Sequence, residues 1–311
     1  MRVVVTGVAG FIGSQLAEAL AKRGDQLVGI DSFSPYYGVE RKRANLGALA
    51  GDDVFTLVVG DINELDLESL LEGIDVVYHL AGQPGVGASW GQAFDVYLAQ
   101  NVLTTQKLLE AGKATNVKRF VLASSSSIYG QAERFPTRES DVPRPVSPYG
   151  VTKAAAEQLC HLYEQAFGIE SVILRYFTIF GPRQRPDMLF SRMISSALDS
   201  RPLTIIGDGH QSRDFTYVAD AVAATIAAAD TGISGSTYNI AGGSQATVLE
   251  VVELLEQLVG RPLACEHVDP VPGDLRKTGA DTSAARRDLA YSPSVSLEDG
   301  LARQLEHARS A

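Results

Sequence analysis

The chain has 311 residues, with 27 Lys and Arg against 37 Asp and Glu and a formal net charge of −10. That balance speaks against nucleic-acid binding, which needs clustered basic surface. With 45% hydrophobic and 21% charged residues, the composition is that of a globular protein able to form one large domain or two smaller ones. The longest apolar stretches, such as "AVAATIAAA" at 221–229, are too short to span a bilayer, so no membrane association is expected. The N-terminal "MRVVVTGVAG" runs straight into a strand pattern rather than a leader, and the cytoplasm is the expected compartment. Cys160 and Cys265 lie far apart without metal-ligand spacing, so they suit a reducing compartment and no metal site is expected.

Over the first 180 residues, short β-rich runs alternate with helical patterns. Strands are predicted at Arg2–Thr6, Gln26–Ile30, Val54–Val59, Val76–Leu80, Arg119–Ala123 and Ser171–Arg175. Helices are predicted at about 12–23, 39–48, 64–71, 92–113 and 150–167. Near-continuous apolar strands separated by helices predict an α/β fold, a doubly wound parallel (Rossmann) sheet covered on both faces. Its ligand crevice should lie at the carboxyl ends of the strands. From about Gly181 the pattern becomes irregular, with Pro182, Pro186, Pro202 and scattered arginines. Residues 1–180 therefore read as a dinucleotide-binding domain and 181–311 as a smaller second α/β domain over the crevice. Residues 214–242 read as helix then strand, returning to the first domain. Thr247 and Glu250 form a capping box ahead of "VVELLEQL".

The first strand ends in "TGVAGFIG", with Gly7, Gly10 and Gly13 at three-residue intervals before a helix. Glycines there permit a tight turn and let backbone N–H groups approach a pyrophosphate at the helix N-terminus. Asp31 ends the second strand, where a carboxylate accepts ribose hydroxyls and repels a 2′-phosphate, favouring NAD over NADP. The run Arg41-Lys42-Arg43 reads as a solvated helix face. Asp61 in "VVGDI" is placed to contact adenine, and "HLAG" at 79–82 supplies small residues that admit the middle of the cofactor. His79 reads as a satisfied core residue rather than a catalyst.

"SPYGVTK" at 147–153 sets Tyr149 and Lys153 one helical turn apart on one face. By itself the spacing also describes a solvated helix. A phenol ionises near pH 10, and two nearby positive charges can lower that value by about three units, making a base for neutral pH. Lys153 is one such charge and an oxidised nicotinamide would be the other.

With "GVAGFIG", "HLAG", "SSSSIYG", "SPYGVTK", "LRYFTIFGPRQRPDM" and "SRDFTYVAD" in that order, the chain resembles the extended short-chain dehydrogenase/reductase family over nearly its whole length, particularly its nucleotide-sugar epimerases and dehydratases. The resemblance implies bound NAD, a UDP-sugar held between the domains, and a homodimer. Residues 181–311 would then be the sugar-nucleotide domain. It implies that Tyr149, Lys153 and Ser125 are catalytic, Ser125 holding the sugar's 4-oxygen. Gly7, Gly10, Phe11, Ile12, Gly13, Asp31, Asp61, Ile62, Leu80 and Ala81, with Tyr149 and Lys153, would contact the cofactor. Ser125, Ser126, Ser127, Tyr149, Thr178, Arg185, Arg213 and Asp274 would contact the substrate, Arg213 at its diphosphate.

Ser126 and Ser127 stand where the family's dehydratases carry Asp-Glu and its decarboxylases a Glu, which favours epimerisation. "DSFSPYY" at 31–37, Thr178 after "RYF" and Arg185 in "RPDM" look most like UDP-glucuronate 4-epimerases. A C6 carboxylate needs a cationic clamp, and a bidentate arginine suits it. Two positions depart from related patterns. Gly87 stands where glucuronate epimerases often have arginine, and Val271 where galactose-type enzymes do. A 4-epimerase of UDP-glucose or UDP-N-acetylglucosamine, a dehydratase or reductase, and a non-catalytic dinucleotide-binding subunit are the alternative readings.

Overall fold

The computed structural model describes every residue except Val271, Pro272, Asp274 and Ala311. The strands in chain order are β1 (Arg2–Thr6), β2 (Gln26–Asp31), β3 (Phe55–Val59), β4 (Val76–His79), β5 (Arg119–Ser125), β6 (Glu170–Tyr176), β7 (Ile179–Phe180), β8 (Leu203–Ile206), β9 (Ser212–Tyr217), β10 (Thr237–Ile240), β11 (Ser244–Thr247) and β12 (Cys265–Val268). Seven of them form one sheet in the order β10-β6-β5-β4-β1-β2-β3, every neighbouring pair parallel. Along β1, Val3 and Val5 enter one core and Val4 the other, all fully buried. This is why the strand reads as unbroken apolar sequence: both faces are covered. Chain order reverses beside β1, which pairs with both β2 and β4, and the crevice opens there.

The helices of the first half are α1 (Phe11–Arg23), α2 (Val39–Asn45), α3 (Leu67–Leu71), α4 (Phe94–Tyr97), α5 (Thr104–Thr115) and α6 (Pro148–Phe167). Most lie within a few residues of the periodicity. The exception is the helix predicted at 92–113. It is split into a 3₁₀ turn at Gly91–Ala93, α4, a π-helical stretch at Leu98–Leu103, and α5. In the π stretch, buried Asn101 brackets Gln83, accepting its N–H at 2.7 Å and donating to its carbonyl at 3.1 Å. The wider turn thus lets a polar side chain face inward in an otherwise apolar periodicity.

Beyond β6, β7, β9 and β11 form a three-stranded sheet and β8 pairs with β12. The later helices are α7 (Leu189–Leu198), α8 (Val218–Asp230), α9 (Val248–Val259), α10 (Ser283–Leu289) and α11 (Leu297–Ser310). Helix α8 and β10 carry the chain back to the main sheet, where Tyr238 and Asn239 pair with Leu174 and Arg175 of β6. At α9 the Thr247 hydroxyl accepts the Glu250 N–H at 3.2 Å and the Glu250 carboxylate accepts the Thr247 N–H at 2.6 Å. Among the described residues no helix is long and apolar enough to cross a membrane. Thr247→Ala removes one arm of this box and is expected to lower stability by about 0.5–2 kcal/mol, read by denaturant unfolding.

Candidate active site

A cavity of about 450 Å³ opens at the carboxyl ends of β1, β2, β4 and β5. Its floor is the glycine turn. Gly7 adopts φ +69°, and a Cβ there would lie 2.9 Å from the Ala81 nitrogen at the end of β4. A Cβ on Gly13 would collide with the Gly7 carbonyl oxygen, so both positions exclude any side chain. Helix α1 begins after Gly10 with no side-chain cap, which leaves its first N–H groups for an anion in the cavity. Phe11 and Ile12 complete this wall, and Ile62, Leu80 and Ala81 line the cavity beyond it.

Asp31 is buried at the end of β2, where its carboxylate accepts N–H bonds from Ala9 at 3.0 Å and Phe33 at 2.8 Å. Lys42 faces it. Contrary to its reading as solvated, Lys42 is buried, lies 3.7 Å from Asp31, donates to Ser34 at 3.2 Å and stands over the Tyr37 ring. Burial pushes its pKa down, opposed by the Asp31 charge. The signal was present in the periodicity. Lys42, Asn45, Leu46 and Leu49 are all buried at helical spacing, so Lys42 continues an inward stripe that its charge disguises. Asp61 accepts from Gln100 at 2.8 Å, and both line the cavity. Tyr36, Tyr37, Lys42, Gln83, Gln100 and Asn101 are wall residues that sequence reasoning did not assign.

The local fold explains "SPYG". The Ser147 hydroxyl caps α6 by accepting the Gly150 N–H at 3.1 Å, and Pro148 occupies the first turn. A Cβ on Gly150 would lie 2.6 Å from the Ser127 carbonyl, so glycine lets the helix start against the Ser126–Ile128 turn. Tyr149 and Lys153 both reach the cavity wall, with Arg185. Burial raises the Tyr149 pKa above its ordinary value; hydrogen bonding to Ser125 and then the Arg185 charge oppose it. Burial lowers that of Lys153 to about 8, against the pull of Glu157. Burial thus outweighs the protein groups that oppose it at Tyr149. His79 is fully enclosed between Thr6 at 2.8 Å and Thr105 at 3.1 Å, with burial pushing its pKa down to about 3. It is not among the residues that line the cavity.

The substrate candidates are dispersed. Arg185 forks onto Asp187 through two bonds of 3.0 Å, and Asp187 also influences Tyr36 on the same wall. Ser125 ends β5 beside Tyr149, its hydroxyl accepting the Ser127 N–H at 3.1 Å. Ser126 and Ser127 form the following turn, and Thr178 lies half-buried between β6 and β7; none of these four lines the cavity. Arg213 sits on β9 and donates to the Ser212 carbonyl at 2.9 Å. Asp274 and Val271 lie outside the described residues.

A parallel sheet with a glycine-floored crevice, a buried carboxylate at the end of β2 and a Tyr/Lys pair on the wall defines a dinucleotide-dependent enzyme of the short-chain dehydrogenase type. The model of the NAD dependent epimerase/dehydratase family matches residues 3–241, and the chain belongs to that family. It is 45% identical to the uncharacterized UDP-glucose epimerase YtcB of Bacillus subtilis, over 100% of this chain and 98% of that one. It is 37% identical to a UDP-glucuronate 4-epimerase of Thermodesulfobacterium geofontis, covering 98% and 95%. The structure superposes with a TM-score of 0.97 on the UDP-glucuronic acid 4-epimerase of Bacillus cereus in complex with UDP-glucuronic acid and NAD, at 45% identity over 100% and 99% of the two chains. Gly13→Ala is expected to weaken NAD binding about ten- to hundredfold, measured by calorimetry on protein whose circular dichroism is unchanged.

Proposed function

We propose that this chain is an NAD-dependent 4-epimerase converting UDP-glucuronate to UDP-galacturonate. The observation that carries the reading is that Tyr149, Lys153 and Arg185 share one wall of the glycine-floored cavity. Gly7, Gly13 and the open N-terminus of α1 fit a pyrophosphate, and Asp31 fits a ribose, so the residues present suit NAD. Bound NAD supplies a reversible two-electron acceptor and a positive charge next to the phenol.

Tyr149 takes the proton of the sugar's 4-hydroxyl and later returns it. Ser125 steadies the 4-oxygen, and Lys153 holds a positive charge one helical turn away. Removing two electrons at C4 of a glucuronate makes a β-keto acid, which loses carbon dioxide when its C5–C6 bond aligns with the ketone. Arg185 and Thr178 hold the carboxylate out of that alignment. The Arg185 guanidinium already grips one carboxylate, that of Asp187, in the same forked geometry. Ser126 and Ser127 provide none of the acid–base carboxylates that dehydration or decarboxylation uses. The 4-keto sugar turns over in the pocket and is reduced on its opposite face, so no net oxidation results.

In this reading residues 1–180, with 214–242 returning to them, hold the cofactor and 181–311 the sugar nucleotide. The chain works as a homodimer in the cytoplasm. Val151, Leu162 and Phe167 of α6 and Leu98 and Leu103 beside it are large apolar residues left exposed on adjacent helices, which supports self-association there. Both cysteines are free thiols, as a reducing compartment favours. Leu162→Glu is expected to convert the dimer to monomer in sedimentation velocity; a wild-type monomer would overturn the assembly.

The decisive assay is NMR of UDP-glucuronate incubated with the protein, beside a tube of UDP-glucose. UDP-galacturonate should appear without added NAD and without a decarboxylated sugar. Conversion of UDP-glucose alone would favour the neutral-sugar reading that the Bacillus subtilis relative's name suggests. Tyr149→Phe should lower turnover ~10²–10⁴-fold while retaining NAD; undiminished activity would remove Tyr149 from the mechanism.

A further inference from the structure

Arg185 reaches the cavity wall from residues 181–188, the loop between β7 and α7. Two residues earlier Arg183 stands at φ +66°, the left-handed region where a side chain crowds its own backbone and glycine is the usual occupant. Arg183 does not line the cavity. Its guanidinium runs instead to α1, donating to Glu18 at 2.6 Å and to the Ser14 hydroxyl at 3.3 Å. Ser14 and Glu18 lie one turn apart on one face of α1, and the ion pair is largely shielded, its side chains 20% and 18% exposed. Gln15 of the same helix donates to the Pro182 carbonyl at 2.9 Å. From the other side, buried Gln184 donates to the Ile179 carbonyl at 3.1 Å and accepts the Ser191 N–H of α7 at 3.0 Å and the Gln304 amide of α11 at 2.9 Å.

We infer that Arg183 is a positioning residue: its pairing with Glu18 fixes the loop that carries Arg185 to the helix that holds the cofactor, so the carboxylate clamp is set relative to NAD. The inference rests on the functional reading above, in which Arg185 grips a C6 carboxylate next to a carbon that NAD oxidises. In that reaction, suppressing decarboxylation is a matter of angle between the carboxylate and a ketone formed against the cofactor. A clamp referred to any other part of the molecule would not control that angle.

The contacts of the loop divide accordingly. Gln184 ties its base to α7 and α11, neither of which lines the cavity. Asp187 forks onto Arg185 but belongs to the same loop and moves with it, so it cannot locate the clamp. Arg183 and Gln15 make the connection to α1, whose first residues, Phe11 and Ile12, form the cavity wall beside the glycine turn. The backbone of Arg183 points the same way. Glycine would relieve the left-handed conformation, and an ion pair that merely stabilised the chain could be placed on unstrained backbone. An arginine here keeps the strain in exchange for a side chain that spans from the clamp loop to the cofactor helix.

The test uses Arg183→Gly, which suits the left-handed backbone and removes the side chain, in NAD-loaded protein. Calorimetry in a Tyr149→Phe background, where turnover is blocked, measures UDP-glucuronate binding for Arg183→Gly, Arg185→Met and the two combined. Arg183→Gly should weaken binding about tenfold. The combined variant should bind no more weakly than Arg185→Met, because Arg183 acts through Arg185. With Tyr149 intact, NMR of Arg183→Gly or Glu18→Arg acting on UDP-glucuronate should show a decarboxylated sugar that wild type does not release. The charge swap Glu18→Arg with Arg183→Glu should return the wild-type product. Losses that add in the combined variant, or a lowered Tm with wild-type binding and products, would make the pair a structural staple and overturn the inference. If wild type bound UDP-glucuronate without epimerising it, the functional reading would fail, while the binding cycle would still decide the role of Arg183. No binding of UDP-glucuronate at all would overturn both.

Discussion

Everything at this site depends on the close approach of β1 and β4 at their carboxyl ends. Parallel pairing buries both faces of the sheet, so the strand ends are where ligands can enter. There the Gly7 turn comes so near the Ala81 backbone that a methyl group would not fit. The glycine turn sets where α1 starts, and the small residues after β4 keep the floor open. The Thr6 hydroxyl, accepting the N–H groups of Leu80 at 3.2 Å and Ala81 at 3.0 Å, locks the two strand ends together.

Burial then poses an electrostatic problem that the fold solves with a few placed charges. Desolvation pushes Tyr149 up and Lys153 down, so each drifts towards its neutral form. In the proposed mechanism the phenol acts as a base and the ammonium stays charged, and both then need neighbours that oppose this drift. Ser125 and Arg185 do so for Tyr149, and Glu157 for Lys153. In the proposed mechanism the positive charge of oxidised NAD would be the further influence that makes the phenol a base, which would couple acid–base chemistry to the presence of the cofactor.

In the proposed reaction, substrate choice would follow from the polar groups near the reacting carbon. After β5 the chain offers hydroxyls rather than carboxylates, at Ser125, Ser126 and Ser127. On the cavity wall Arg185 is paired with Asp187, so in the proposed reaction a substrate carboxylate would meet a guanidinium already arranged to bind one. A carboxylate that exchanges with Asp187 meets an arginine held ready in forked geometry, whereas a neutral sugar leaves that ion pair undisturbed. Both the glucuronate reading and its neutral-sugar rival therefore turn on the same arginine.

The parallel sheet, its first six strands along the chain and the glycine turn were legible in the sequence, because apolar runs and glycine spacing are local consequences of burial and backbone sterics. Tyr149, Lys153 and Asp31 were legible for the same reason: each sits at a fixed offset from a strand or helix end. Lys42 was not, since its charge pointed to solvent and only the packing of α2 against the glycine loop showed it buried beside Asp31. Nor was the π turn at Leu98–Leu103, whose inward Asn101 is satisfied by Gln83 and Thr152 from other parts of the chain. By itself the sequence determined most elements of the first half and which residue types stand at the strand and helix ends. Only the tertiary structure decided which charges face one another, because desolvation and Coulomb attraction act across space between residues that the chain keeps far apart.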